Sequence, residues 1–175
     1  MTQSTSPKKR HAVVLAAGKS TRFKSEKPKL LHKLCGKPLV CHLLDRLAAL
    51  DVGRIIVVLG HESESVREVL SDYPVDFALQ EEQLGTGHAT ICAAPALKDL
   101  EGSVLVLYGD TPLISEDTLR RLYETRDKED ADEVILTVDS PKPHGYGRIV
   151  RDSGGAAVRI VEAQDAPPEE KLIRD

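Results

Sequence analysis

The chain has 175 residues, 41% of them hydrophobic and 30% charged, a balance that fits one globular domain with a core of its own and excludes a disordered chain. Its formal net charge is -4, which excludes the broad basic surface of a nucleic-acid binder or of a protein held on anionic membranes. No segment reaches the roughly 20 consecutive apolar residues of a membrane-spanning helix, so neither nucleic acid nor membrane is expected as a partner. Aromatic residues make up 3% and Trp is absent, leaving Val, Leu, Ile and Ala to build the core. Such aliphatic runs suit a parallel sheet covered by helices on both faces. Cys35, Cys41 and Cys92 form no C-x-x-C pair and leave an odd count, which predicts a reducing cytoplasmic setting without a disulfide framework.

Residues 1–10 are polar and basic and are expected as a flexible leader, with the folded domain over 11–175. Ala12–Ala16 reads as a buried strand ending at Ala17-Gly18. Leu39, Leu43, Leu47 and Leu50 have helical spacing after Gly36-Lys37-Pro38, and Ile55–Leu59 is the next strand, closed by Gly60. Val66, Val69 and Leu70 mark a second helix, and Val75–Leu79 a third strand. Thr86–Ala94 predicts a helix ended by Pro95, and Val104–Tyr108 a strand terminating at Gly109-Asp110. Ser115–Arg126 reads as a helix with Glu116 and Asp117 in its first turn, where the helix dipole favours them. Val134–Val138, Gly147–Val150 and Ala156–Val161 are further predicted strands. The alternation predicts a doubly wound α/β sheet, mostly parallel.

Several chemistry-bearing motifs fail on spacing. Gly18-Lys19-Ser20 ends like a Walker A loop, but Val13 stands where that motif needs its first Gly. A dinucleotide G-x-G-x-x-G fails because Ser20 holds the second Gly position. His61-Glu62-Ser63-Glu64-Ser65 lacks the second His of a zinc-protease helix, and no G-x-S-x-G elbow occurs. The six histidines show no metal-ligand spacing, so His11, His42 and His61 are expected to be structural or solvent-facing.

The stretch that survives is Leu15-Ala16-Ala17-Gly18-Lys19-Ser20-Thr21-Arg22-Phe23, followed by Lys27-Pro28-Lys29-Leu30-Leu31-His32. Small residues directly after the first strand let the backbone approach a ligand at the carboxyl end of the sheet, where open α/β sheets bind nucleotides. Free N–H groups there, with Arg22 as a forked donor and Lys29 as a compact charge, suit a triphosphate. A pair of surface cations is the plainer reading of the same two residues.

Leu-Ala-Ala-Gly-x-[Gly/Ser]-Thr-Arg followed by Pro-Lys-x-Leu and Gly-Lys-Pro resembles the signature of the sugar-1-phosphate nucleotidyltransferases, and Leu15 to Cys41 lies on it without a gap. Three further segments resemble the uridylyltransferase domain of the bifunctional enzymes that make UDP-N-acetylglucosamine. These are Gln80-Glu81-Glu82-Gln83-Leu84-Gly85-Thr86-Gly87-His88-Ala89, Tyr108-Gly109-Asp110-Thr111-Pro112-Leu113 and Gly145-Tyr146-Gly147-Arg148-Ile149, arriving in the family order.

The resemblance implies attack by a phosphate oxygen of N-acetylglucosamine 1-phosphate on the α-phosphorus of UTP, giving a cell-wall precursor sugar nucleotide and pyrophosphate. The nucleophile is already an anion, so the work is positioning and charge neutralisation. By that resemblance Arg22 and Lys29 contact the phosphates, and Asp110, at the end of a strand, holds Mg²⁺. Its plainer reading is a helix cap or turn Asp. Leu15, Ala16, Ala17 and Gly18 would pack along the nucleotide, with Tyr108 and Gly109 in the segment leading to Asp110. Gln80, Gly85 and Thr86 would read the uracil, an amide being able to meet both donor and acceptor of that edge. Gly147 and Glu162 would bind the sugar, and His88 is expected to be structural.

Ser20 stands for the commoner Gly of the loop and Phe23 for the commoner Met. The family's Asn-Thr-Gly segment, a second metal-binding Asn and the left-handed β-helix acetyltransferase domain have no counterpart here, so the expectation is a truncated domain with impaired turnover. Without the trimer-forming β-helix, a monomer or weak self-association is expected. Two other readings stay open at this level: a non-catalytic nucleotide-binding remnant, and a nucleotidyltransferase for another sugar phosphate.

Overall fold

The computed structural model describes residues 9–18, 25, 27–60, 63–143 and 145–175. The chain divides into two compact units, Met1–Asp132 and Glu133–Asp175.

The first unit is built on four parallel strands, β1 (Arg10–Ala16), β4 (Arg54–Leu59), β5 (Asp76–Leu79) and β6 (Ser103–Tyr108), in the order β5-β4-β1-β6. Between β1 and β4 come a two-residue ribbon, β2 (Lys33–Leu34) with β3 (Lys37–Pro38), and helix α1 (Leu39–Ala48). Helices α2 (Glu64–Val69) and α3 (Thr86–Leu97) make the remaining crossovers, and α4 (Glu116–Glu129) follows β6. β1 lies between β4 and β6, with Leu15 opposite Val58 on one side and Tyr108 on the other.

Side chains alternate across a strand, so an aliphatic run feeds two cores at once. Ala12, Val14, Ile55, Val57 and Leu59 join α1 (Val40, Leu43, Leu44, Leu47), Val66 of α2 and Leu119 of α4 on one face. Val13, Ile56 and Val58 meet Ala89 and Ala93 of α3 on the other. Layers on both faces make this the doubly wound α/β sheet expected. At its amino-terminal end Tyr123 of α4, 2% exposed, donates its hydroxyl to His11 O at 2.6 Å, with the Arg10 guanidinium over its ring. Burial pushes the Tyr123 hydroxyl pKa well up from its usual value, and the Arg10 charge only partly opposes this. Ser115 caps α4, its Oγ accepting from Thr118 N at 3.1 Å, with Glu116 and Asp117 in the first turn.

Three expectations need correction. Pro95 does not end α3, which runs on to Leu97. Only two residues follow it, and Ala96 and Leu97 pack against the α3-side core, which offsets the ladder bond that Pro cannot make. The first strand starts at Arg10, not Ala12. In the second unit Val134–Val138 is no strand. Ile135, Leu136 and Val138 are exposed there, and among the described residues the segment finds no ladder partner, without which alternating hydrophobicity does not make a strand. The strands of that unit are β7 (Arg148–Arg151) and β8 (Ala157–Val161), an antiparallel pair.

No described helix is long and apolar enough to cross a membrane.

Candidate functional site

Parallel strands deliver their following loops to one edge, and here those loops are tied to one another. Near the end of β1, Leu15 O accepts from Gly109 N at 2.9 Å, and just after it Ala17 O accepts from Gln83 Nε2 at 2.8 Å. The approach is close. A Cβ on Gly109 would stand 3.1 Å from Leu30 Cδ2 and 3.2 Å from Leu15 O, and one on Gly60 would stand 2.9 Å from Gln83 Nε2. Glycine at both places lets the three loops pack against the β1 loop.

Lys29 opens a single 3₁₀ turn, Lys29–Leu31, seated by buried Leu30 and Leu31. Its Nζ donates to Asp110 Oδ2, bringing together two of the three residues expected to do the chemistry. Both side chains are about one-third exposed, at 34% and 33%, so the pair stands open to a ligand. Arg22, the third, lies outside the described residues, as do Ser20, Phe23 and His61. Asp110 follows β6 after Gly109, in a turn held by Thr111 Oγ1 donating to Tyr108 O at 2.7 Å. Tyr108 itself is 54% exposed. Beyond the turn, Arg46 of α1 spans Pro112 O at 2.7 Å and His42 O at 2.9 Å through the same Nη1.

On the far side of the edge, Gln80 is 3% exposed. Its Nε2 donates to Gly85 O at 3.0 Å and lies 3.1 Å from His88 Nδ1. Gly85 has φ 103, a conformation open to glycine, and stands at the N-cap of α3. Thr86 begins the helix, so its expected helix-start role holds, and its carbonyl accepts from Thr90 Oγ1 at 3.0 Å.

Gly147 and Glu162 belong to the second unit, just outside its strands: Gly147 precedes β7 and Glu162 follows β8, exposed. A Cβ on Gly147 would stand 3.0 Å from Ile160 Cγ2. The carbonyl of Glu162 accepts from Asp165 N and Ala166 N at 2.9 and 3.0 Å.

Other sequence features are structural. Lys37 is bonded to Asp45 of α1, whose Oδ1 also accepts from Tyr73 at 3.0 Å. Burial would raise the Asp45 pKa, but the bonds from Lys37 and Tyr73 outweigh it and hold the carboxyl below its usual value. His42 Nε2 lies 2.9 Å from Leu34 O and His11 Nε2 3.2 Å from Glu101 O, so both serve the fold as expected. Arg46 went unseen in the sequence because nothing in a helix-period run marks which cation turns back onto a loop. Gln83 stood inside a quoted motif without a role of its own.

Among the described residues no group of three His, Cys, Asp or Glu gathers to form a metal cage. A single partly exposed carboxylate nevertheless suits Mg²⁺, which keeps several waters and takes one or two carboxylates together with substrate phosphate oxygens. Asp110 meets that description.

Residues 12–166 match the MobA-like NTP transferase domain. The chain belongs to this family. It is 50% identical over 165 residues to the bifunctional protein GlmU of Brevibacillus brevis, a match that covers 94% of this chain and 36% of that protein. The chain thus spans little more than a third of the length of that relative. HddC from Yersinia pseudotuberculosis, solved as a complex with GMP-PN, is 27% identical, with a TM-score of 0.64 over 87% of this chain and 68% of its own. Rv0371c from Mycobacterium tuberculosis, solved as a manganese complex, shares the fold at 24% identity, with a TM-score of 0.57 over 67% of this chain and 59% of its own.

Proposed function

We propose that this family member transfers a uridylyl group from UTP to N-acetylglucosamine 1-phosphate, releasing pyrophosphate and UDP-N-acetylglucosamine, in a cytoplasmic setting. The observation that carries the reading is the convergence, on the carboxyl edge of one parallel sheet, of the Gln80–Gly85 loop with the Lys29–Asp110 pair. The 50% identity to GlmU over nearly the whole chain supports the choice of nucleotide and sugar.

In this reading the β1 loop from Leu15 to Gly18 follows the nucleotide, while Gln80, Gly85 and Thr86 bind the uracil. Lys29 and Arg22 meet the phosphates and stabilise the charge that builds on the α-phosphoryl group as it passes to the sugar phosphate. Asp110, backed by Tyr108 and Gly109, would hold Mg²⁺, which supplies neutralisation of the phosphate oxygens. Without a ligand Lys29 and Asp110 satisfy one another, and with UTP each has its own anionic or cationic partner. Gly147 and Glu162 belong to the sugar side. No general base is needed, because the attacking oxygen is already ionised.

The test is UTP titration with and without Mg²⁺, alongside pyrophosphate release on adding the sugar phosphate. UTP binding that strengthens with Mg²⁺ in the wild type but not in Asp110→Asn supports the assignment. Equal Mg²⁺ dependence in both proteins would remove Asp110 from the metal site.

A further inference from the structure

Gln80 is the most enclosed polar side chain at this edge, 3% exposed, with its backbone N–H bonded to Leu59 O at 2.8 Å. One terminus of its amide makes both side-chain contacts, 3.0 Å to Gly85 O and 3.1 Å to His88 Nδ1. A carbonyl only accepts, so the terminus facing Gly85 O must be the NH₂ group. The same NH₂ faces Nδ1, which therefore accepts as well. A neutral imidazole that accepts at Nδ1 carries its proton on Nε2, and that nitrogen lies 4.0 Å from Cys92 Sγ.

Both amide hydrogens are then committed inside the protein. Among the described residues no donor reaches Oε1, so the part of Gln80 left for a ligand is an acceptor. Resting on the nucleotide-binding reading above, the geometry points to His88 as a positioning residue. By accepting at Nδ1 beside Gly85 O it helps hold the Gln80 amide with Oε1 towards the base, so that the site selects a pyrimidine with a ring N–H over one with a ring acceptor. Uracil offers N3–H to Oε1, whereas cytosine offers a lone pair at N3 that Oε1 repels. A site built for a particular hydrogen bond rejects the base that cannot make it, because its own polar group is left unpaired. The same arrangement refines the expectation that Gln80 meets both donor and acceptor of the uracil edge: only its acceptor is open, and any donor to a uracil carbonyl comes from another group.

His88 also sits at the third position of α3, one helical turn before Cys92. The imidazole is therefore carried by the helix that Gly85 caps, and the amide, the cap and the ring form one unit. Removing the ring leaves one NH₂ hydrogen without a partner and Gly85 O as the single remaining anchor of the amide, so Oε1 is held less firmly towards the base.

Two measurements on the full chain test this. Long-range ¹H–¹⁵N NMR at neutral pH should show His88 with its proton on Nε2; a proton on Nδ1 overturns the proposal whatever the nucleotide result. UTP and CTP affinities are then compared for the wild type, His88→Leu and His88→Asn. The preference for UTP should fall about tenfold or more in His88→Leu, the scale of one lost hydrogen bond with its partner left unpaired. It should return in His88→Asn, whose Oδ1 can accept where Nδ1 did. An unchanged preference in a folded His88→Leu overturns the positioning role while leaving the uridylyltransferase reading standing. A wild type that binds neither nucleotide, yet has Nε2 protonated, overturns that reading and the base-selecting role together.

Discussion

Tyr123→Phe offers a quantitative test of how β1, the strand that leads into the site, is anchored. The substitution keeps the ring among its neighbours and removes only the hydroxyl that donates to His11 O at 2.6 Å. At pH 7 the loss of a buried bond, with the carbonyl left unpaired, should cost about 1 kcal/mol, or roughly 2–4 °C in melting temperature for a chain of this size. Alkaline pH changes the sign. Burial raises the Tyr123 pKa in the fold, so the native state holds its proton while the unfolded chain, titrating near the ordinary tyrosine value of 10.0, releases it. A raised folded pKa gives stability that is complete below the unfolded value and is lost as pH climbs through the folded one. At pH 11 the unfolded wild type gains about 1.4 kcal/mol by deprotonation, which offsets the whole advantage of the hydroxyl. Phe has no such titration. Urea unfolding of both proteins at pH 7, 9, 10 and 11 should show a gap of about 1 kcal/mol that closes by pH 11. A gap that stays constant across the series would mean that Tyr123 titrates alike folded and unfolded, and would refute the buried hydroxyl.

Asp45→Asn should lower stability at pH 7 by less than about 1 kcal/mol, since its side chain is 45% exposed and solvent screens the pair. Because the Asp45 pKa is lowered in the fold, the deficit should shrink as pH falls below the ordinary aspartate value of 3.8, which acid unfolding of the two proteins would reveal. Arg46→Met keeps the aliphatic stem but frees Pro112 O and His42 O. It should cost about 1–2 kcal/mol in urea unfolding with an unchanged m-value and should weaken Mg²⁺-dependent UTP binding through the loosened Asp110 loop.

Much of the first unit was legible because a strand buried on both faces has to be aliphatic throughout: Val13 and Val14 feed opposite cores, so the run itself marks the strand. Pro95 misled because the rule for helix interiors ignores a helix with only one half-turn left to run and apolar side chains to bury. Val134–Val138 misled because alternation describes a strand's faces and not its partners. At the site, Lys29 and Asp110 were readable as residue types, but 81 positions separate them and only the crossover of the sheet makes them a pair. Gln83, Arg46 and His88 act through carbonyls and a single amide terminus, contacts that depend on backbone placement and leave no mark in composition or spacing.

The most direct measurement is pyrophosphate release from UTP, Mg²⁺ and N-acetylglucosamine 1-phosphate by the wild type, Lys29→Met and Asp110→Ala. The wild type should turn over, and either variant should lose about a hundredfold or more, the scale seen when one preorganised charge is removed from such a transition state. Turnover that survives both substitutions unchanged would contradict the placement of the chemistry at the Lys29–Asp110 pair.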